Sequence, residues 1–193
     1  MSVIVAIKEK DVIYLGADSQ TSSGRKKHTY LNETAYKVVK LKNDVLVGFC
    51  GRVAARQTIL AMRDVFTLDE KGGLTKKHIV QQIVPKLLDK MEQIGDEESG
   101  ALDVSILLAH KDKMYKITAD LDVIHLNENA SLGAGKYYVN YALFGMPDIP
   151  VKERILKALI ESAKHTESVA GPYVLIDTKN LEYEVVDKGG ENH

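Results

Sequence analysis

Met1-Ser2-Val3-Ile4-Val5-Ala6-Ile7, then Lys8-Glu9-Lys10-Asp11, then Val12-Ile13-Tyr14-Leu15: this opening stretch decides how the rest of the chain is read. Two short β-branched or apolar runs flank a charged turn, which is the pattern of a β-hairpin. If Met1 is removed, Ser2 stands at the head of the first strand with a hydroxyl and a free α-amine on one residue. A hydroxyl nucleophile that carries its own general base is a device of covalent catalysis. Most chains that begin Met-Ser make no use of it, so the remaining sequence has to decide.

At 193 residues, 45% hydrophobic and 27% charged, the chain reads as one domain, 1–193, with a substantial core. Its formal net charge of −1 gives no reason to expect nucleic acid or an acidic membrane as partner. The run of three cations Arg25-Lys26-Lys27 reads as a solvated loop. The single cysteine, Cys50, excludes an intrachain disulfide. In the apolar run Val45 to Cys50 it reads as a small buried hydrophobe in a reducing compartment. No secretory leader and no membrane-length apolar run is visible, so a cytoplasmic location is expected. The histidines form no close cluster with Cys or Asp, so there is no case for zinc. No cofactor is expected, and a metal is left undetermined.

Outward from the hairpin, Gly16 to Gly24 is polar and glycine-containing and is expected to be an irregular loop. A second strand pair follows, Lys37–Leu41 and Val45–Cys50. Val53 to Phe66 has helical spacing, and a second helix is expected from about Lys76 to Ile94 with Thr75 as N-cap. Its residues Ile79, Ile83, Leu87 and Met91, with Val80, Val84 and Leu88 beside them, predict one broad buried stripe. Pro85 within it predicts a kink. Strands are expected at Asp103–Ala109, Lys113–Thr118 and Val123–Leu126. Ala130-Ser131-Leu132 leads into Gly133-Ala134-Gly135 and a helix from about Lys136. A further helix spans Val151–His165, and strands at Tyr173–Ile176 and Leu181–Val186 close the chain. Blocks of strands alternating with pairs of helices predict an α+β fold. Two antiparallel sheets packed face to face, each covered by helices, make a four-layer αββα sandwich.

Four residues stand out together in that frame. Ser2 begins the first strand, Asp18 follows the second, Lys37 opens the third and Gly51 ends the fourth. Each has a plain structural reading when taken alone: a turn cap for Asp18, a strand-edge lysine for Lys37, a helix-entry glycine for Gly51. Taken in order, the chain resembles the β-type subunits of the proteasome, and the bacterial heat-shock-locus V protease most of all. Ile4-Val5-Ala6-Ile7 through Leu15-Gly16-Ala17-Asp18-Ser19-Gln20 is similar to that family's opening hairpin. Lys37-Val38-Val39-Lys40-Leu41 is similar to its lysine-bearing strand, and Val47-Gly48-Phe49-Cys50-Gly51 to the segment that supplies an oxyanion-hole amide. Gly133-Ala134-Gly135-Lys136-Tyr137 resembles its Gly-Ser-Gly turn, and Ala170-Gly171 its late glycine motif.

The resemblance implies an N-terminal-nucleophile hydrolase fold and an N-terminal serine/threonine-type endopeptidase. It makes Ser2 Oγ the nucleophile and the Ser2 α-amine the base. Lys37 then favours the alkoxide, Asp18 holds Lys37, and the Gly51 N–H serves the oxyanion. The implied partners are a polypeptide substrate, a homo-oligomeric ring stacked in pairs, and an ATP-dependent unfoldase. Four positions depart from the pattern. Ala134 stands where the family has a serine, Glu167 stands near a family aspartate, Ala55 replaces an aspartate, and Arg52 replaces a small residue. Those departures keep two alternatives open: a catalytically silent ring or scaffold subunit, and a small-molecule amidase on the same frame.

Overall fold

The opening hairpin forms as its pattern predicts. β1 (Val3–Glu9) and β2 (Val12–Asp18) pair antiparallel from Ile4↔Ala17 to Glu9↔Val12, and Lys10 takes φ 56° in the turn between them. The structure, a computed structural model, describes residues 2–23, 26–29, 36–51, 57, 60–92, 104–146 and 148–187. β1 is an inner strand of the first five-stranded sheet, between β10 (Asn129–Gly133) and β2. Beyond β2 come β11 (Tyr173–Asp177) and β12 (Glu184–Val186). The second sheet runs in chain order through β5 (Val38–Lys40), β6 (Leu46–Gly51), β7 (Val104–His110), β8 (Lys113–Ile117) and β9 (Val123–Leu126). All the pairings in both sheets are antiparallel.

Three apolar layers hold these elements together. Ile4, Ala6 and Leu15 of the first sheet face Val38, Leu46 and Leu107 of the second. Outside the first sheet, α2 (Lys136–Phe144) and α3 (Val151–His165) lay Val139, Ile155 and Leu159 on Val3, Val5 and Leu175. Outside the second, the helix α1 (76–92) lays Ile79, Ile83 and Leu87 on Val47, Ile106 and Leu108. Each of the buried Val, Leu and Ile side chains among these contributes about 1.5–3 kcal/mol. The architecture is the expected α+β sandwich, ordered αββα. α3 approaches closely because Gly16 has no side chain: a Cβ there would overlap Ile155.

α1 is not a plain α-helix. It runs as Lys76–His78, a π-helical stretch Ile79–Ile83, and Val84–Glu92. Thr75 caps its start, accepting from the His78 N–H at 3.3 Å. The disturbance expected at Pro85 takes the form of the π stretch just before it, in which the Val84 N–H bonds the Ile79 carbonyl. A wider turn accommodates a residue with no N–H to donate and a ring against the preceding turn. It also changes the angular spacing, and Val80 is left 45% exposed, outside the stripe its position predicted. The Met91 side chain and the expected helix end at Ile94 lie outside what is described.

The loop expected over Gly16 to Gly24 is a second correction. β2 continues to Asp18, and β3 (Gln20–Ser23) pairs with β4 (Lys26–Thr29) as a separate ribbon. Ladder partners decide here: Tyr173 on β11 stands opposite Asp18, and cross-strand pairing overrides a polar composition. Lys26 and Lys27, expected in a solvated loop, belong to β4, while Arg25 lies outside the described residues. The helix expected over Val53 to Phe66 is described only in part, with Gln57, Leu60 and Ala61 helical before a 3₁₀ turn at Arg63–Val65. Arg52 and Ala55 lie outside the described residues. No helix among the described residues is long and apolar enough to cross a membrane.

Candidate active site

Asp18 ends β2 beside the start of β1, and its carboxylate is shared between the two sheets. Oδ1 accepts the Val3 N–H at 2.8 Å. Oδ2 accepts the Gln20 N–H at 3.2 Å and the Lys37 ammonium at 2.7 Å. Lys37, just before β5 on the opposite sheet, also donates to the Gln20 carbonyl at 2.5 Å. The pair is enclosed, with side chains 3% exposed for Lys37 and 0% for Asp18. Burial pushes the Asp18 carboxyl above its ordinary value, against the pull of the Lys37 ammonium and of the Val3 and Gln20 amides. Paired charge and full hydrogen bonding are what make such a burial tolerable.

Ser2 precedes β1 and is half-buried. The turn at Gly133-Ala134-Gly135 closes over it. Gly133 has φ +92°, and a Cβ there would overlap the Ser2 carbonyl oxygen and come within 3.0 Å of Cys50 Sγ. Gly135 abuts Val3, whose Cβ lies 3.1 Å from where its own would be, and Ser162 Oγ would overlap that atom. Ser162, from α3, donates to the Gly135 carbonyl at 3.2 Å. Gly133 is therefore demanded by its positive φ and the close approach of the Ser2 backbone, Gly135 by the side chains packed on it, and Ala134 between them brings no polar side chain to the turn.

Gly51 is the exposed last residue of β6, with φ 153°. The Phe49 N–H donates to the Lys37 carbonyl at 3.0 Å. Residues two apart on a strand direct their N–H groups to the same edge, so the Gly51 N–H points to the Lys37 side of β6. Cys50 is free and buried. Burial pushes its thiol up to about 12, with Lys37 drawing it down and Asp18 raising it, so it is not a nucleophile at neutral pH. Glu167 sits in the connection from α3 to β11. Its side chain is exposed, and what it brings toward the site is its carbonyl, which accepts from Gln20 Nε2 at 2.9 Å.

The structure thus joins Asp18 and Lys37 in one buried pair, ties Val3, the residue after Ser2, to that pair through Asp18, places Gly51 at the end of β6, and leaves the Glu167 side chain exposed. Sequence reasoning missed four contributors: Gln20, Cys50, Ser162 and Tyr173. Tyr173 stands opposite Asp18, and burial raises its phenol to about 12 with a further push from the Asp18 charge. Three of the four act through position alone. Gln20 and Cys50 lie within stretches whose order carries a signal, and Ser162 and Tyr173 do not. Among the described residues, no three His, Cys, Asp or Glu converge to hold a metal.

The model of the proteasome subunit family matches residues 2–138. The chain belongs to the proteasome subunit family. Solved structures agree in fold. Thiobacillus denitrificans BPH in complex with epoxomicin superposes with a TM-score of 0.74 at 16% identity, over 93% of this chain and 99% of that one. Anbu, the ancestral beta-subunit from Yersinia bercovieri, gives 0.69 at 15% identity, over 95% and 86% of the two chains. The eukaryotic HslV from Trypanosoma brucei gives 0.64 at 14%, over 91% and 98%. At such identities the likeness is one of fold, and the chemistry rests on this chain's own residues.

Proposed function

We propose that the protein is an N-terminal-nucleophile peptidase, a subunit of a self-compartmentalising ring in which Ser2 is the nucleophile once Met1 is gone. The observation that supports this most is the double grip of Asp18, which holds the amide of Val3 and the ammonium of Lys37 at once. It positions the residue next to Ser2 and a fixed cation from the facing sheet. Ser2 Oγ attacks a peptide carbonyl carbon and its proton passes to the Ser2 α-amine, directly or through water. A free α-amine ordinarily titrates near pH ~7.7–8.0, so it is partly in the base form at neutral pH. The Lys37 charge lowers that value and favours the alkoxide.

The tetrahedral oxyanion forms toward the Gly51 N–H, a contact worth about 3–4 kcal/mol in such sites. On collapse the C–N bond breaks, the amine's proton goes to the leaving nitrogen, and an ester remains on Ser2. Water then hydrolyses that ester with the same amine as base. Polypeptide is the substrate. A closed chamber admits only unfolded chains, so an ATP-driven unfoldase belongs to this reading. Asp18 and Lys37 are positioning residues here, and Glu167 supports the site only through its backbone.

The test is intact-mass analysis before and after exposure to epoxomicin. The purified protein is expected to lack Met1 and to gain one adduct on its N-terminal peptide, while Ser2→Ala gains none. Retained Met1 without an adduct sinks the proposal. A second reading, a silent ring subunit, draws support from Ala134 and from the outward Glu167 carboxylate. It predicts that Ser2→Ala changes no activity of the wild-type particle.

A further inference from the structure

The connection from α3 to β11 packs beside the start of β1, and one side chain ties it there. Gln20, at the root of the β3–β4 ribbon, is only 5% exposed, a rare place for a long polar side chain. Its Nε2 donates to the Glu167 carbonyl at 2.9 Å. Its own N–H meets Asp18 Oδ2, and its carbonyl receives the Lys37 ammonium. Among the described residues, one further hydrogen bond holds the connection to β2 and β3, from the Ser19 N–H to the Ala170 carbonyl at 3.2 Å. The hydroxyls of Ser19, Thr166 and Ser168 are buried and make none. Beyond Glu167, Val169 packs against Gly135, its Cγ2 3.2 Å from where a Cβ would stand, and joins Val3 in one apolar layer. A circuit of contacts therefore leaves Val3 through Asp18, passes Gln20, Glu167 and Val169, and returns to Val3.

We propose that the Gln20 side chain is a positioning residue for Ser2: it closes this circuit and so holds the N-terminus in register with the Lys37 ammonium. The inference rests on the peptidase reading above. A long side chain gives up rotamer freedom when it is enclosed, and here that freedom is exchanged for one directional bond to main chain. The apolar link at Val169 is non-directional and lets the connection slide; the amide bond does not. Without it the Ser19–Ala170 bond is left as a single pivot, and the Gln20 carbonyl that receives Lys37 loses its anchor. A displacement of about 1 Å from a reactive geometry costs up to a hundredfold in rate. A cation held less closely to the α-amine also lowers its titration point less.

The test is the rate of epoxomicin adduct formation, followed by intact mass between about pH 6 and 9, in the wild type, Gln20→Met and Ile106→Val. Cys50 and Tyr173, the other titratable groups set against Asp18 and Lys37, are both pushed up to about 12 by burial, so neither changes charge across that range. Gln20→Met keeps the length and loses the donor. It is expected to slow the adduct about tenfold to a hundredfold. It is also expected to raise the midpoint of the profile by about half a unit, toward the ordinary ~7.7–8.0 of an α-amine. Ile106→Val loosens the layer under α1 and is expected to keep the midpoint, which separates position from general destabilisation. If Gln20→Met fails to fold by circular dichroism, Gln20→Asn, whose amide falls one methylene short, is judged by the same midpoint. A wild type that takes no adduct refutes the peptidase reading and this role with it. A reactive wild type whose midpoint is unmoved in the Gln20 variant, or moved equally in Ile106→Val, refutes the role of Gln20 alone.

Discussion

Removing the Asp18 carboxylate should be as damaging as removing the Lys37 ammonium, and removing both should cost little more than removing one. In Asp18→Asn the ammonium stays enclosed without its carboxylate partner at 2.7 Å, and the amide nitrogen brings donors toward it. In Lys37→Met the carboxylate keeps the Val3 and Gln20 amides but loses its counter-charge. Breaking one side of a buried ion pair costs about 3–5 kcal/mol. For a domain of this size each kcal/mol moves the melting temperature by about 2–4 °C, so each single variant should melt roughly 6–20 °C lower. The double variant removes both charges together and should sit near either single one, giving a coupling energy of about 3 kcal/mol or more. Thermal and urea unfolding at one fixed protein concentration measure the full cycle. Costs that simply add, with coupling below about 1 kcal/mol, would refute the treatment of Asp18 and Lys37 as one electrostatic unit.

Two further outcomes follow from the same site. Cys50, raised from 9.0 to about 12, should react with iodoacetamide at pH 8 about a thousandfold more slowly in the folded protein than after unfolding. Its thiolate share falls from about one in ten to about one in ten thousand, and equal rates by mass spectrometry contradict the burial argument. Gly135→Ala should destabilise by about 1–3 kcal/mol through overpacking against Ser162 Oγ and Val3 Cβ. Because Gly135 has φ −77°, the backbone itself tolerates alanine. Adding Ser162→Ala should therefore recover part of the loss in urea melts, and no recovery counts against that contact as the cause.

Much of the architecture was legible because it rests on periodicity. Val151–His165 and the Thr75 cap could be read directly, and the alternation of strand and helix blocks predicted the layers. Two errors share a cause. Gln20–Ser23 is polar, yet it has a ladder partner in Lys26–Thr29. Val80 is apolar and in phase, yet a π stretch turns it outward. In both cases hydrogen-bond pairing, which leaves no mark on residue type, outweighed composition. The site divides the same way. Ser2, Asp18, Lys37 and Gly51 could be singled out because their order had meaning. The Gln20 carbonyl that receives Lys37, the Ser162 hydroxyl under Gly135 and the Cys50 sulfur beside Gly133 act through main-chain geometry or proximity. Glu167 was marked for its charge and contributes its carbonyl instead.

Gly133, whose missing side chain lets the Ser2 carbonyl through, follows Ser2 by 131 residues. At about 5–20 residues per second of synthesis, roughly 7 to 26 s separate the appearance of the two on the ribosome. During that interval β1 can pair with β2, but its other neighbour β10 does not yet exist. A nascent chain therefore presents its N-terminus to processing enzymes before the turn that packs over Ser2 has been made. In the peptidase proposed above, trimming of Met1 and closure are ordered in time by topology alone, and the Ser2 hydroxyl meets that turn only after about two-thirds of the chain has been made.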